Sequence, residues 1–414
     1  MLSITNVTCC TESNSITVQF KTDGALSNYF KCNTSEVTYS DSIKDIPPSL
    51  AIVPFVANVL PIVWVLGDTL HLKEIDADFF ESMKKIKAGY KKMYPRLSFD
   101  GNMTASSLVK NETPVMQGQD SAIELFSGGV DGLNTLVRNR ELISRFVTVW
   151  GADIPSTNDE AWKIAYSGIY RQAEVFGVSS SYVKTDMRDF IDESKLTKLL
   201  NEHGYVGHAW WHDIQHSLAL LGLSSLVAYI YGCTTMFIAA SYSVNDTTYH
   251  QCASDPSIDN HFMCCGVKVV HDGYEENRQV RIQNIVDYAN QKGMEIPIRA
   301  CYASHTGTNC CNCEKCGRTI LGIIAAGGKP SQYGFNCSRA QFNRLMHKLH
   351  YYYPMVYDFY REMPDFIKTN NTALPKSAKW VLSPNFEQIC ANGRKTALWT
   401  MRSKLAHVYH KIRR

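Results

Sequence analysis

The alternation of apolar and polar residues predicts the elements of the first quarter of the chain. Residues 15–20 alternate with a period of two and a turn pattern follows at 22–24, so we expect a small antiparallel sheet near the N-terminus. The apolar run 50–66 contains two prolines and is shorter than the roughly 20 residues of a membrane span. It favours a buried strand pair or a packed helix. Residues 78–94 carry apolar side chains at helical spacing with lysines opposite, which predicts an amphipathic helix.

From residue 122 onward, apolar strands alternate with helical segments. This alternation is typical of an α/β fold in which helices cover both faces of a parallel sheet. After the first strand at 122, the expected strands are 146–150, 178–184, 235–241, 266–270 and 296–300, and the expected helices are 158–177 and 213–222.

Three regions follow from these patterns. Residues 101–118 are polar and lack periodicity, so we place a boundary there. The predicted domains are a β-rich α+β accessory region at 1–115, an α/β domain at 116–330 and a helical extension at 331–414. The basic, amphipathic end of this extension, 396–414, is interpreted as a packed terminal helix, with a surface for an acidic partner as the alternative.

The first strand of the α/β domain runs into a glycine-rich loop, Phe126-Ser127-Gly128-Gly129-Val130-Asp131-Gly132. Adjacent glycines let the backbone approach an anion closely, and a following helix adds the positive end of its dipole. Ser127 adds a hydroxyl donor, and Asp131 opens the helix where it can order the loop or a Mg²⁺ ion. The simpler alternative is a strand-to-helix turn that uses the glycines for geometry alone.

A second pattern is a cysteine cluster at 301–316. Cys301, Cys310, Cys313 and Cys316 form C-x8-C-x2-C-x2-C, which supplies four thiolates to a tetrahedral Zn²⁺. Four protein ligands leave no open position, so this zinc is expected to be structural. Cys311 could replace Cys310 as the second ligand. An iron–sulfur cluster or unliganded thiols are the alternatives.

Further candidates follow the predicted strands, because ligands of open parallel sheets lie beyond the carboxyl ends of the strands. Each has a structural alternative, such as a turn, a salt-bridged helix start or a solvated surface. The candidates are Asp153 for a ribose, Ser241, Tyr242, His271, Asp272, Glu275 and Arg278 for a substrate, and Lys315 and Arg318 for a phosphate or carboxylate. A histidine ladder at 208, 212 and 216 lacks the carboxylate spacing of a metal hydrolase and is interpreted as packing or stacking.

Taken together, the two motifs resemble a known family. The Ser-Gly-Gly-x-Asp loop resembles that of the ATP pyrophosphatase (PP-loop) superfamily, and with the cysteine cluster it resembles the 7-cyano-7-deazaguanine synthases of the queuosine precursor pathway. The resemblance covers about residues 120–327 and is loose between the motifs. The superfamily has Ser where this chain has Gly132, so the grip on pyrophosphate is weaker or another side chain supplies the contact.

This resemblance implies a PP-loop (HUP-like) fold, the cofactors ATP, Mg²⁺ and Zn²⁺, and an ATP-dependent carbon–nitrogen ligase. Similar enzymes adenylate 7-carboxy-7-deazaguanine, release pyrophosphate and form an amide and then a nitrile. Relatives that stop at the amide or conjugate a protein amine are compatible with the extra terminal regions, which suit a protein partner. The acid, or a similar one, and an amine donor are therefore the expected partners.

Three other functions stay open. A sulfur-transfer or tRNA-modifying PP-loop enzyme needs a catalytic thiol, for which the candidates are Cys233, Cys252, Cys264 and Cys265. A degenerate protein that binds a nucleotide or base without turnover is the second. A zinc nucleic-acid module is the third and the least favoured, because the cysteines accompany a nucleotide loop and the net charge is near neutral.

Composition narrows the class of protein. Hydrophobic residues make up 45% of the 414 residues and charged residues 20%, which is ordinary for a globular protein. The net charge of +3 is too small to indicate a nucleic-acid or membrane surface. No leader pattern opens the chain, so we expect a cytoplasmic protein whose 14 cysteines are thiols or metal ligands. A homodimer is compatible with the sequence, which does not determine the oligomeric state.

Overall fold

The computed structural model describes residues 1–114, 121–246, 249–301, 308–352 and 360–383. The predicted terminal helix at 396–414 lies outside these residues. The chain forms two compact units. The first unit comprises Met1–Ser127 and Arg138–Glu275, and the second comprises Gly128–Val137 and the chain from Glu276 onward.

All described strands belong to one mixed sheet in the first unit. They are β1 (Leu2–Cys10), β2 (Ser15–Thr22), β3 (Thr34–Tyr39), β4 (Thr69–Asp76), β5 (Asn102–Val109), β6 (Ala122–Leu125), β7 (Ile143–Trp150), β8 (Ser179–Thr185), β9 (Thr235–Ala239), β10 (Met263–Cys264) and β11 (Val267–Asp272). Their order in the sheet is β10-β11-β9-β6-β7-β8-β3-β2-β1-β4-β5.

The parallel core of this sheet consists of β8, β7, β6, β9 and β11. Strand β6 pairs in parallel with β7 on one side and β9 on the other. The chain therefore fills positions outward from β6 first to one side and then to the other, which is the doubly wound order 3-2-1-4-5. In such sheets the switch point lies beside the first strand, here at the carboxyl ends of β6 and β9. The N-terminal strands join this core through the antiparallel pair of β3 and β8.

Helices make up much of the remaining described chain. They are α1 (Pro48–Ala51), α2 (Val53–Val65), α3 (Ala77–Met93), α4 (Val130–Arg138), α5 (Asp159–Phe176), α6 (Glu193–Glu202), α7 (His216–Ile230), α8 (Pro256–Asp259), α9 (Arg278–Lys292), α10 (Glu314–Ala325), α11 (Arg339–Tyr352) and α12 (Met363–Thr369). A π-helix at Trp211–Gln215 precedes α7, and 3-10 helices span Gly24–Tyr29, Pro330–Tyr333 and Lys376–Leu382.

Several elements confirm the sequence prediction for identifiable reasons. Helix α5 begins after Asn158, whose side chain accepts a hydrogen bond from the Ala161 N–H, and it ends at Gly177 with a φ of 60°. Most of the apolar run 50–66 forms helix α2, and every residue of α2 is buried, so the packed helix was the correct alternative. A strand pair there was the wrong alternative. Helix α2 packs closely on α7, where a Cβ on Gly222 would lie 2.4 Å from the Cβ of Ala57. None of the described helices is long and apolar enough to cross a bilayer.

One predicted strand is absent, and one observed strand has no signal in the sequence. Residues 296–300 form no strand in the part of the chain that the structure describes, so that prediction was wrong. Residues 102–109, which belong to the polar stretch without periodicity, form strand β5, which pairs in parallel with β4. Strand β5 is the last strand of the sheet and most of its side chains are exposed, so its sequence needs no apolar periodicity.

Candidate functional site

The loop after β6 begins with a buried aromatic residue. The Phe126 ring stacks on Phe146 with centroids 3.9 Å apart, and the Phe126 N–H donates to the carbonyl of Val147 at 2.9 Å. The Thr148 hydroxyl donates to the Phe126 carbonyl at 2.8 Å. Phe126 therefore fixes the loop on β7, and its side chain faces the core. Ser127, the next residue, is exposed.

The glycines that follow give the loop its backbone conformation. Gly128 has a φ of 79°, in the left-handed region that favours glycine. Its carbonyl accepts a hydrogen bond from the Arg299 N–H at 2.7 Å, while the Leu133 N–H donates to the Gly129 carbonyl at 3.0 Å. Helix α4 starts here, and the first N–H groups of a helix have no partner within the helix. The segment from Gly128 to Gly132 therefore has the local form of an anion-binding helix start.

Asp131, in the first turn of α4, is paired with two arginines of α9. Its carboxylate lies 2.8 Å from Nη1 of Arg281 and 3.2 Å from Nη1 of Arg278. The Arg281 side chain is 2% exposed and the Asp131 side chain 31%, so only the arginine side of this ion pair is fully withdrawn from water. Burial alone would raise the pKa of Asp131, but Arg278, Arg281 and Lys315 outweigh it and hold the pKa below its usual value.

Arg278 is held by polar groups but keeps unused hydrogen-bonding capacity. Its Nη2 lies 3.5 Å from the Thr319 hydroxyl, and its buried Nε has no hydrogen-bond partner among the described residues. Burial, with the neighbouring charges of Arg318 and Arg281, lowers the pKa of Arg278 to about 10, although Asp131 opposes the shift. The guanidinium is still charged at neutral pH.

Two further cations belong to this group. Lys315 lies in the first turn of α10 and interacts electrostatically with Asp131. Arg318 is buried, with its Nε 3.2 Å from Glu314 Oε1, one turn earlier on the same helix. Burial raises the pKa of Glu314, against the effect of Arg318 and Arg278. Four cations and two carboxylates leave this six-residue group with an excess of two positive charges, which suits a polyanion.

The candidates that follow strands in the first unit have different surroundings. Asp153 and Ser241 are exposed. The Tyr242 hydroxyl lies 3.3 Å from Nε2 of His212, and its ring stacks on His250 with centroids 4.5 Å apart. Tyr242 therefore belongs to a histidine-rich cluster at the carboxyl end of β9.

The four candidates from 271 to 278 do not act together. His271 is buried, and its Nδ1 lies 2.7 Å from Asp259, which is also buried. Asp272 and Glu275 both bind Arg138. Arg278 belongs to the second unit, in the arginine pair described above. His271 therefore supports the core of its unit, and the two carboxylates hold a cation at the end of α4.

The cysteine cluster has the geometry of a tetrahedral metal site. The Sγ atoms of Cys301 and Cys313 are 3.8 Å apart, and those of Cys310 and Cys316 are 3.9 Å apart. All four lie within 4.8 Å of one another. Zinc–sulfur bonds of about 2.3 Å give sulfur–sulfur distances of about 3.8 Å in a tetrahedron. The four thiols therefore lie close enough together to bind a metal such as zinc.

Cys313 also caps a helix. Its Sγ accepts a hydrogen bond from the Cys316 N–H at 3.4 Å at the start of α10, and hydrogen bonds from Cys316 lower the pKa of Cys313 to about 5. Cys311 has a φ of 50°, and its thiol forms a hydrogen bond with the thiol of Cys337. Cys310 is thus the second member of the cluster, and Cys311 occupies the turn.

Two residues that the sequence analysis did not single out organise this region. Arg281 completes the pair on Asp131, and its spacing of three from Arg278 was the signal, since i and i+3 share a helix face. Asn309 donates to the carbonyls of Ile298 at 2.7 Å and Gly334 at 3.2 Å, and accepts from the Cys301 N–H at 3.2 Å. Nothing in its local pattern indicated this role.

The chain was compared with family models, curated proteins and solved structures. No family model, curated protein or solved structure matches the chain.

Proposed function

We propose that this chain is an ATP-dependent adenylating enzyme that activates a carboxylic acid as its acyl adenylate and passes the acyl group to an amine. The observation that carries the proposal is the position of the Ser-Gly-Gly loop. The loop follows the first strand of a doubly wound parallel core and leads into a helix. Asp131, in the first turn of that helix, forms ion pairs with two arginines. Anions bind at this position in open α/β sheets.

The ion pairs of Asp131 suggest that the arginines bind the phosphates and that Asp131 positions the arginines. Its carboxylate neutralises part of the charge on Arg278 and Arg281 and fixes both guanidinium groups, so it orders cations for the triphosphate. Because Arg278 and Arg281 already pair with its carboxylate, Asp131 would not be the residue that holds Mg²⁺; the ion would enter with ATP and supply positive charge to the phosphates. Lys315 adds charge from the start of α10.

In the proposed reaction no protein atom forms a covalent bond to the substrates. A carboxylate oxygen of the acid attacks the α-phosphorus of ATP, a P–O bond forms, and pyrophosphate leaves with the electron pair of the bond that breaks. The cations stabilise charge that develops on the pyrophosphate. The amine then attacks the acyl carbon and a C–N bond forms, AMP leaves with the electron pair of the C–O bond, and the proton of the amine passes to solvent. The sequence resemblance points to 7-carboxy-7-deazaguanine or a similar acid, and Ser241 and Tyr242 stay predictions for its contacts.

A structural zinc in the cysteine cluster fits the same proposal. Four thiolates would close its coordination sphere, so the metal would hold the chain before α10 and thereby the first turn that carries Lys315. No step of the reaction needs this metal.

The proposal is tested by equilibrium binding of ATP, AMP and pyrophosphate to the wild type, Arg278→Gln and Lys292→Gln. Lys292 ends the same helix and serves as the matched control. We expect Arg278→Gln to weaken ATP and pyrophosphate binding at least tenfold, to change AMP binding less, and Lys292→Gln to match the wild type. Equal affinities in all three proteins would contradict the assignment. Binding without any turnover would favour the degenerate nucleotide-binding protein.

A further inference from the structure

The two ends of the sheet in the first unit differ in length and composition. The described strand order begins with β10, which has two residues, and ends with β5, which has eight. Strand β5, Asn102–Val109, contains no charged residue and no proline, and its register on β4 has no bulge. Native proteins usually protect an edge strand by these means, because an open edge is a template for another strand. Strand β5 has none of these protections.

The pairing with β4 determines which backbone groups of β5 point outwards. Asn102 lies opposite Thr69, and its N–H donates to the Asp68 carbonyl at 2.8 Å, on the β4 side. In a parallel ladder, residues that bond to the neighbouring strand alternate with residues whose N–H and C=O groups point away from it. The even-numbered residues of β5 therefore bond to β4. The groups that point away from β4 belong to Met103, Ala105, Ser107 and Val109.

These outward groups form an open edge. No strand of the described chain lies beyond β5. Within the residues that the structure describes, one long hydrogen bond reaches an outward backbone group, from the Asn111 side chain to the Val109 carbonyl at 3.4 Å. Outward groups in water can exchange their bonds to water for bonds to a second strand, which leaves none of them buried and unpaired.

The two faces of β5 have different characters, which a second strand has to match. Met103 packs against the core of the first unit. On the opposite face, the hydroxyls of Thr104 and Ser106 lie 3.0 Å and 3.3 Å from the two ring nitrogens of His71. An added strand therefore needs an apolar side chain beside Met103 and polar side chains beside Ser106.

A second copy of β5 meets these requirements in an antiparallel register. A two-fold axis perpendicular to the sheet keeps each side chain on its own face, so odd-numbered residues lie opposite odd-numbered ones. With the axis at Ser106, Met103 lies opposite Val109 of the second copy, and Ala105 lies opposite Ser107. Each pair exchanges two hydrogen bonds and occurs twice, so the ladder has about eight backbone hydrogen bonds. Every outward residue of β5 is then paired.

An axis at Ala105 gives a shorter ladder. Val109 would then lie opposite Gly101 of the second copy. The Gly101 N–H already donates to the Trp64 carbonyl at 3.0 Å within its own chain, so it cannot serve the ladder. The axis at Ser106 is favoured because it leaves no outward residue without a partner.

The register centred on Ser106 also matches the side chains. Leu108, which is 46% exposed, lies opposite the β-branched Thr104 of the second copy. Met103 and Val109 form an apolar pair that continues the core face. No like charges lie opposite each other within β5, and the hydrogen bonds approach the roughly ten of an ordinary protein interface.

We propose that the chain forms a homodimer in which β5 pairs antiparallel with β5 of a second copy, about a two-fold axis at Ser106. The two sheets become one continuous sheet across this axis. The interface is isologous, so it closes at two copies. The proposal is independent of the proposed adenylation.

The first test places charges at the two-fold position. Ser106 is exposed, so lysine or glutamate is compatible with the fold there. Ser106→Lys and Ser106→Glu each put two like charges opposite each other, and each should raise the dimer dissociation constant about fivefold. An equimolar mixture puts opposite charges there and should restore at least the wild-type affinity. Sedimentation equilibrium over a concentration series measures the constants.

Thr5→Lys is the control for added charge, since Thr5 is exposed on β1, inside the same sheet. It should dimerise like the wild type. A monomeric wild type at tens of micromolar overturns the proposal. So does wild-type affinity in both Ser106 variants, or a mixture that binds no tighter than either variant alone.

The second test locates the axis by cross-linking. Opposite residues in a non-hydrogen-bonded antiparallel pair have Cα atoms about 4.5 Å apart, within the range of a disulfide. Ser106→Cys with oxidised glutathione should therefore give a dimer linked through the introduced thiol, identified by peptide mass spectrometry. Thr104→Cys is the matched control, because its two thiols would be about 14 Å apart along the strands. Equal yields in the two variants, including no cross-link in either, contradict the proposed axis.

The third test removes an outward donor. Ser107→Pro deletes an N–H that faces the second copy and leaves the hydrogen bonds to β4 in place. The dimer dissociation constant should rise at least tenfold while the circular dichroism spectrum stays unchanged. Ser107→Ala keeps the N–H and should match the wild type. Wild-type dimerisation by folded Ser107→Pro would show that β5 is not the interface.

Discussion

Arg281 places its Nη1 atom 2.8 Å from Oδ1 of Asp131, although 150 positions separate the two residues in the sequence. The contact joins the first turn of α4 to the first turn of α9 within the second unit. Because the Arg281 side chain is almost fully buried, the ion pair with Asp131 offsets part of the cost of burying its charge.

Replacement of Asp131 by alanine is expected to cost both stability and activity. It leaves two close guanidinium groups without their shared anion, which destabilises the fold by about 2 kcal/mol when a partly exposed pair is discounted from the buried limit. ATP turnover should fall at least 100-fold. Chemical denaturation and pyrophosphate release measure the two effects. Asp287→Asn is the control, since Asp287 is exposed on α9 and its carboxylate accepts a hydrogen bond from the Gln283 side chain. Wild-type activity in Asp131→Ala would refute the site.

Substitution of Gly132 tests whether the serine hydroxyl that the PP-loop superfamily carries at this position contributes to pyrophosphate binding. Gly132 lies inside α4 and is not among the positions with a positive φ, so a side chain is compatible with its backbone. Alanine should stabilise the helix by roughly 0.5–1 kcal/mol. Serine should in addition tighten pyrophosphate binding several-fold, which calorimetric titration measures. If Gly132→Ser and Gly132→Ala bind pyrophosphate equally, the hydroxyl has no role in this loop.

The cysteine cluster predicts one zinc per chain. Cys313→Ser should lose the metal and unfold at lower denaturant, because Cys313 is both a ligand and the cap of α10. Cys311→Ser should keep the metal, since its thiol pairs with Cys337. Metal analysis of the purified variants gives the stoichiometry. Zinc loss in Cys311→Ser with retention in Cys310→Ser would reverse the assignment of the second ligand.

Glu124 predicts a pH dependence of stability. It is fully buried in β6, its carboxylate has no hydrogen-bond partner among the described residues, and burial, with Asp272 adding to it, raises its pKa well above the usual value. The folded state therefore keeps a proton that the unfolded chain loses above about pH 4.5. Stability is fully present below that pH and falls as pH rises towards the folded pKa, by up to about 1.4 kcal/mol per unit.

Glu124→Gln removes this titration, so its denaturation midpoint should vary less between pH 5 and 8 than that of the wild type. Equal pH dependence in both proteins would show that Glu124 is not the source.

Local patterns predicted the local structure well. The caps at Asn158 and Gly177 bounded α5, and the 3.6-residue spacing at 78–94 located α3. The last expected strand of the α/β domain, 296–300, is absent, and Asn309 satisfies backbone groups there that a strand would have paired. An apolar run alone does not distinguish these two solutions.

The site was predictable in part for the same reason. The cysteine spacing identified all four members of the cluster, because they lie within 16 residues of one another. The pairing of Asp131 with Arg281 depends on packing between segments that are distant in the sequence. The π-helix at Trp211–Gln215 also has no pattern of its own in the sequence.

The most direct test of the account is pyrophosphate and AMP release from ATP and Mg²⁺, with and without 7-carboxy-7-deazaguanine, followed by mass spectrometry of the small molecules and of the protein. The account predicts pyrophosphate release that depends on an acid and is lost in Asp131→Ala. Detectable ATP binding without pyrophosphate release, whichever acid is supplied, would contradict it.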